Sequence, residues 1–248
     1  MSVITSASSR KDGITFYSKH YELKMNEKPD GKTEYIFRKF SKASMKHTRC
    51  DIFLLRGIAS FFRGDTTILA WILSSIIYAF NLYTKRAGLI SSMLDTIASL
   101  LLFAIFVMLI GSTLKIYGSP KKTFMYHGAE HKLINALENG EELTLSNVKY
   151  QPCYNAGCGS ILAIFFILVV ILFFFFIPHW IFFFPICYAI AYEMFIVKDG
   201  ENKPILKYAY SIGKFCQEKF VTKEPDDEMI SNAITAVNKL IELEEQEK

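Results

Sequence analysis

The stretch SILAIFFILVVILFFFFI occupies residues 160–177 and contains no charged side chain. It is about as long as a helix that crosses the hydrocarbon core of a bilayer. Pro178, His179 and Trp180 follow and predict a tight turn into a second apolar run, 181–197. Backbone polar groups cannot stay unpaired in lipid, so both runs are expected to be helices. Together they predict a transmembrane hairpin.

Upstream of this hairpin, two more apolar runs have a similar length. They cover about 66–84 and 94–114, and neither has a charge at its centre. The segment 52–64 is also apolar, but it is short and contains Arg56 and Arg63, so an interfacial helix is predicted there. The pattern therefore predicts an α-helical integral membrane protein with about four transmembrane helices, within a membrane domain 51–197 that has a long loop at 115–159.

The distribution of basic residues predicts the orientation. Lysine and arginine are concentrated in the first 63 residues and in the 115–159 loop, whereas 178–180 has none. Because positive loops stay inside, both termini and the long loop are expected to be cytoplasmic. The lipid bilayer is then the main partner. A net charge of +4 is too small to suggest nucleic acid, and five cysteines do not form a disulfide framework.

Both ends of the chain are more polar. Residues 1–12 are expected to be a loose start, and 13–40 alternates around Pro29-Asp30-Gly31, which predicts a small N-terminal β-hairpin in an arm covering 1–50. In the tail, 198–248, the segment 205–220 is expected to be amphipathic and to lie on the membrane. An acidic turn at 225–228 then predicts the start of a C-terminal cytoplasmic helix.

One short motif in the long loop could carry chemistry. His127 and His131 are four residues apart, so they share one face of a helix, and Glu130 lies beside them. His-x-x-Glu-His is the inverted form of the zinc-protease motif, in which a carboxylate can act as base on metal-bound water. Two histidines need a third ligand, for which the candidates are Cys158, Cys153, Glu138 and Glu193. The structural alternative is that the motif only braces the loop.

Glu193 is the preferred candidate from outside the loop. It lies in AIAYEMFIV, inside the last predicted span, where a carboxylate is costly and by default functional. Its expected depth is level with His127. Cys158 is flanked by Gly157 and Gly159, which allow close approach of a ligand, although a structural turn explains the glycines as well.

Several stretches of the chain resemble the YqhQ family of bacterial multipass membrane proteins. The resemblance is carried by YHGAEHK, NALENGEELTLSNV and a Cys-Gly pair in the centre, and by LLRGI, AYE and TKEPDDEMISNAI elsewhere. The family is described as a predicted metal-dependent enzyme, which implies His127, Glu130, His131 and Cys158 as site residues and a bacterial cell membrane as location. Where the family has His-Pro-Arg-Cys-Gly, this chain has Asn155-Ala-Gly-Cys-Gly, so a histidine ligand at that position would be missing.

Two functions follow as expectations. The first is a metal-dependent hydrolase at the cytoplasmic membrane surface. His127 and His131 would hold a divalent transition metal, for which zinc is favoured, with Cys158 or Glu193 completing the shell and Glu130 as general base. The alternative is a non-catalytic membrane scaffold or chaperone that binds other membrane proteins through small and polar residues of the first two spans (Ser74, Ser75, Gly111 and Ser112).

Overall fold

The chain divides into two compact units, neither of which is continuous in sequence. The computed structural model describes residues 4–40, 52–62, 71–72, 75–76, 78–79, 82–83, 121–176 and 180–247. The first unit is formed by 1–48, 118–157 and 214–248, and the second by 49–117 and 158–213.

The first unit is built on a four-stranded antiparallel sheet. The strands are β1 (Ile4–Arg10), β2 (Gly13–Ser18), β3 (Tyr21–Glu27) and β4 (Thr33–Lys39), and their order in the sheet is that of the sequence. Side chains alternate between the two faces of a strand, so apolar residues two apart make one apolar face. Ile14 pairs with Met25 and Phe16 pairs with Leu23. All four are fully buried or nearly so, and they form the floor of the core.

Two long helices cover this apolar face. Helix α2 (Lys121–Glu138) packs Ala129, Leu133 and Ala136 onto the sheet, and the C-terminal helix packs its apolar stripe beside them. The short helix α3 (Leu145–Tyr150), capped by the side chain of Thr144, adds Val148 to the same core. Sheet and helices therefore enclose one apolar interior, which fixes the orientation of α2.

The predicted C-terminal helix is confirmed as a helix. It is labelled α7 (Asp227–Glu245), and the carboxylate of Asp226 caps it by accepting from the backbone N–H of Met229 at 2.8 Å. At its other end, Glu244 accepts from the Ser18 hydroxyl at 2.6 Å and from the His20 backbone N–H at 2.7 Å. These contacts fasten the end of the helix to the connection between β2 and β3.

The N-terminal prediction is partly wrong. Residues 1–12 were expected to be a loose start and 13–40 a two-stranded hairpin, but Ile4–Arg10 forms a strand and 13–40 contains three. The turn around Pro29-Asp30-Gly31 joins β3 and β4 as predicted, with Gly31 at φ 79°. The missed turn lies at Lys19-His20, where no glycine or proline marks it. His20 in this turn is hydrogen-bonded to Glu244, which is distant in sequence. A local sequence pattern cannot indicate such a contact.

The second unit is helical in the residues that the structure describes. It contains α1 (Leu55–Phe61), α4 (Gly159–Phe176), a 3-10 turn (Trp180–Phe183), α5 (Phe184–Phe195) and a second 3-10 turn (Gly200–Asn202), and then most of α6 (Leu206–Cys216). Helix α1 is short, as the prediction of a brief helix at 52–64 requires, and Gly57 lets it approach Ala189 of α5 closely.

The predicted fold class, an α-helical integral membrane protein with about four transmembrane helices, is wrong. The chain contains a four-stranded sheet, and no helix in its described part combines the length and apolarity that crossing a membrane requires. The runs predicted at 160–177 and 181–197 form helices of 18 and 12 residues.

The other two predicted spans fall mostly beyond the described residues. The run 94–114 lies wholly outside them, and 66–84 is described at eight positions, all helical. The multipass description is withdrawn together with the fold class. The predicted location, lipid partner and orientation stay predictions.

Candidate metal centre

Helix α2 presents the two histidines of the motif on one face. The helix ends at Glu138, as predicted from Asn139-Gly140, and Gly140 adopts the left-handed conformation with φ 71°. The rings of His127 and His131 are 4.3 Å apart between centroids and inclined by 62°. His131 is only 3% exposed, so its ring is shielded from bulk water.

Backbone carbonyls fix the same tautomer on both rings. The Nδ1 atom of His131 lies 2.6 Å from the carbonyl oxygen of Cys153, and that of His127 lies 3.1 Å from the carbonyl oxygen of Val221. A carbonyl can only accept, so each Nδ1 carries the proton and donates. The lone pair of each ring is then on Nε2. Metal-binding histidines are commonly held in this way, with the other ring N–H donating to a backbone carbonyl.

The Nε2 atom of His131 is the clearest sign of a ligand. It is buried and has no hydrogen-bond partner among the described residues. Burial, reinforced by the adjacent His127 ring, lowers the pKa of His131 to about 3. The imidazole is therefore neutral at physiological pH, which is the form that binds a metal. A buried nitrogen without a partner is costly, and a metal ion would remove that cost.

Cys158 is a third candidate donor. The candidate ligand atoms of His127, His131 and Cys158 all lie within 4.8 Å of one another. In a tetrahedral zinc site with ordinary bond lengths, ligand atoms are about 3.3–3.7 Å apart. Modest side-chain adjustment would bring the three into that geometry.

The sequence interpretation missed the residue that holds the segment 151–157, which leads into Cys158 and which we call the ligand loop. Gln217 is fully buried and accepts from the Asn155 backbone N–H at 3.0 Å, while its amide donates to the Asn155 carbonyl at 3.2 Å. The backbone of Gln217 begins a π-helical turn that ends at Val221, whose carbonyl accepts from His127. Isolated π-turns are frequent at functional sites. Gln217 is followed directly by Glu218 and Lys219, so nothing in the local sequence marks it as a residue that would be buried.

The side chain of Asn155 is structural. Its amide donates to the Asn135 side-chain oxygen at 2.7 Å, and its own oxygen accepts from the Gly157 backbone N–H at 2.8 Å. Asn135 in turn donates to the carbonyls of Pro152 and Tyr154. These hydrogen bonds shape the loop that carries Cys153 and leads into Cys158.

Lys132 is a second buried group that the sequence interpretation did not single out. It is 4% exposed, and its ammonium donates to the carbonyls of Lys149 and Gln151 at 2.8 and 2.6 Å and pairs with Glu224 at 2.9 Å. A buried charge is tolerated only when it is paired and hydrogen-bonded. Lys132 therefore ties the ligand loop and the segment after the π-turn to α2.

The other thiol of the loop is poorly suited to bind metal. The Sγ atom of Cys153 donates to Glu224 at 3.3 Å. Burial and the hydrogen bond to that carboxylate raise the pKa of Cys153 to about 12. A metal ligand is the thiolate, so this cysteine is held in the wrong protonation state. Its contribution is the carbonyl that orients His131.

The two acidic residues of the motif helix differ in placement. Glu130, the residue before His131, is buried with an exposure of 8%, and its role as general base stays a prediction. Glu138 is exposed at the end of α2 and lies 3.4 Å from the Asn155 amide. The structure therefore places Glu138 within the loop network, whereas Glu130 lies on the buried side of its helix.

Glu193 lies in the second unit, where its carboxylate is already engaged. Its Oε1 accepts from the backbone N–H of Leu54 at 3.0 Å and from Arg56 Nε at 2.8 Å, and its Oε2 accepts from Arg56 at 2.5 Å. The hydrogen bond and charge of Arg56 lower the pKa of Glu193 despite its burial. The cluster that contains the two histidines does not include it. Its ligand role stays a prediction.

The fold and the cluster define a mixed α/β protein with a helix-borne histidine pair and a neighbouring thiol. The family model described as "Protein of unknown function (DUF1385)" matches residues 39–243, so the chain belongs to this family. It is also 32% identical over 134 residues to the uncharacterized protein YqhQ of Bacillus subtilis (strain 168). The predicted family membership is confirmed.

The match to that relative is partial in both chains. It covers 50% of this chain and 42% of the Bacillus protein, so the two are alike over less than half of the latter. No solved structure matches the chain. The comparisons therefore give membership of a family and no activity.

Proposed function

We propose that this chain binds a divalent transition metal, with zinc favoured, and acts as a metal-dependent hydrolase. The observation that carries the proposal is the buried, unpartnered Nε2 of His131 in a cluster with His127 and Cys158. Imidazole and thiolate are the donors that zinc prefers. Both imidazoles have their tautomers set for binding through Nε2.

The number of donors favours a catalytic site over a structural one. Structural zinc sites are closed by four protein ligands, whereas catalytic sites have three and leave one position open. Three donors come together among the described residues here. When bound, the metal would supply Lewis acidity and an activated water. Glu130, which is buried on the same helix, would act as the general base and accept a proton from that water.

The test is elemental analysis of the purified full chain beside the double variant His127→Ala/His131→Ala. We expect stoichiometric metal in the wild type and its loss in the double variant. His20→Ala is the matched control, because His20 lies in the same unit and pairs with Glu244 at 2.8 Å instead of another histidine. Metal that survives in the double variant, or none in folded wild type, contradicts the proposal.

A second variant separates metal binding from hydrolysis. Glu130→Gln removes the proton acceptor and leaves the proposed ligands in place. We expect it to retain metal and to lose at least about 100-fold in turnover of whichever ester, amide or phosphoester the wild type hydrolyses. Equal turnover in wild type and Glu130→Gln would rule out Glu130 as the general base and would not contradict the proposed metal site.

A further inference from the structure

Helix α6 has two faces of different character. Ala209, Tyr210 and Gly213 are buried, and they pack toward α4: the Tyr210 ring lies 5.2 Å from that of Phe165, and Gly213 faces Ile161. The Tyr210 hydroxyl also donates to the carbonyl of Phe195 at 3.0 Å. One face of the part of α6 that belongs to the second unit is therefore packed within that unit.

The opposite face is apolar and exposed. Tyr208, Ile212 and Phe215 follow one another at spacings of four and three residues, so they lie in one line along the helix. Ile205 continues this spacing from the turn just before α6, and we call the four residues the α6 stripe. Their exposures are 82, 66, 46 and 55%. Four large apolar side chains in one exposed line are unusual on a surface that meets only water.

Lysines border this stripe. Lys207 lies 5.1 Å from the Tyr208 ring, Lys214 lies 5.6 Å from the Tyr154 ring, and both are exposed. Lys203 and Lys219 lie near the two ends of α6 in sequence, close to Glu201 and Glu218. An apolar line with a positive border is the pattern of helices that lie in a membrane interface and attract anionic headgroups.

We infer that the α6 stripe binds the surface of an anionic lipid bilayer, with the apolar side chains among the acyl chains and Lys207 and Lys214 at the headgroups. The contact is independent of the proposed metal site and requires no helix that crosses the membrane. The positive border distinguishes lipid from a second copy of the chain, since a copy would bring an equally positive face against it.

The test is flotation of the full chain with vesicles of phosphatidylcholine alone or with about one third phosphatidylserine. The wild type should float with the anionic vesicles, and less so as salt is added. Neutralising Lys207→Gln/Lys214→Gln should weaken the partition about 25-fold, since each basic residue near such a surface contributes about fivefold. Both side chains are exposed, so the variant should fold normally.

The apolar half of the inference has its own variant and control. Ile205→Ser/Ile212→Ser should abolish flotation, whereas Ile36→Ser/Phe37→Ser removes two exposed apolar side chains of β4, 45 and 42% exposed, and should not. Urea unfolding of all variants checks that each is folded. Any of three results overturns the inference. One is a stripe variant that floats as the wild type does, and another is a wild type that binds neutral and anionic vesicles equally. The third result is a wild type that sediments as a dimer and does not float.

Discussion

Gln217 and Asn155 are joined by two hydrogen bonds between the side chain of the first and the backbone of the second. Gln217 thereby connects the two acceptors that orient the histidines. One is the carbonyl of Cys153, two residues before Asn155, and the other is the carbonyl of Val221, at the end of the π-turn that Gln217 begins. Gln217 acts through the backbone of Asn155, so we treat it as a positioning residue.

Replacing Gln217 with leucine should lower metal affinity about 10–100-fold, the usual effect of losing a group that orients metal ligands. Leucine fills a similar volume but leaves the Asn155 backbone groups without partners. The measurement is competition with a colorimetric zinc chelator. Gln151→Leu is the matched control, because Gln151 is also buried and its side chain contacts Asn139 and Glu141 instead. An equal loss of zinc affinity in both variants would show that the loss comes from general destabilisation of the first unit.

The two loop cysteines should behave differently toward metal. Cobalt-substituted wild type is expected to show thiolate-to-cobalt charge-transfer absorption in the near ultraviolet, because Cys158 is the proposed sulfur donor. Cys158→Ser should abolish that absorption. Cys153→Ser should retain it, since the Cys153 thiol donates to Glu224 and only its backbone carbonyl serves the site. The reverse pattern would exchange the roles assigned to the two thiols.

Local features of this fold could be predicted from the sequence. The motif helix, its end at Asn139-Gly140, the turn at Gly31 and the start of α7 at Asp226 each follow from residues that are close in sequence. The four-residue spacing of His127 and His131 also predicts that they share one face of the helix, and their rings do lie side by side. Caps, turns and helical periodicity are short-range effects, so a single sequence carries them.

The failures of prediction are long-range. Strand β1 is polar, yet its Ser9 is buried where it pairs with Ile14 of β2. The apolar runs predicted transmembrane spans because hydropathy does not show where a helix begins or ends. The span predicted at 181–197, for example, forms a helix that begins only at Phe184. Gln217 meets Asn155 across 62 positions of sequence. No periodicity predicts such a pairing.

Replacing Gly128 with alanine should destabilise the first unit by about 1–3 kcal/mol, as overpacking does. A Cβ at this position would lie 2.2 Å from the carbonyl oxygen of Lys223 and 3.3 Å from the Cys153 Sγ. Lys223 is held there by its own N–H, which donates to Phe124 at 3.0 Å. The midpoint of urea unfolding measures the change. Gly159→Ala is the control, because a Cβ there meets nothing within 4 Å, and it should change the midpoint little.

Glu27 should make the stability of the first unit depend on pH. Its carboxylate accepts from Lys122 at 2.5 Å and from the Tyr126 hydroxyl, and these hydrogen bonds lower the pKa of Glu27 below its ordinary value. A carboxyl whose pKa is lower in the folded than in the unfolded chain adds stability above the unfolded value of about 4.3. That contribution is lost as the pH falls through the folded-state value.

The comparison of wild type with Glu27→Gln tests this linkage. We expect the variant to be less stable by about 1 kcal/mol at pH 7, and the difference to shrink toward zero below about pH 4, where the wild-type carboxyl also becomes neutral. Urea unfolding across that pH range measures it. Glu34→Gln is the control, since Glu34 and its partner Lys28 are both exposed and 3.3 Å apart, and it should change little at any pH. A Glu27→Gln difference that persists unchanged in acid would mean that shape and not charge couples β3 to α2.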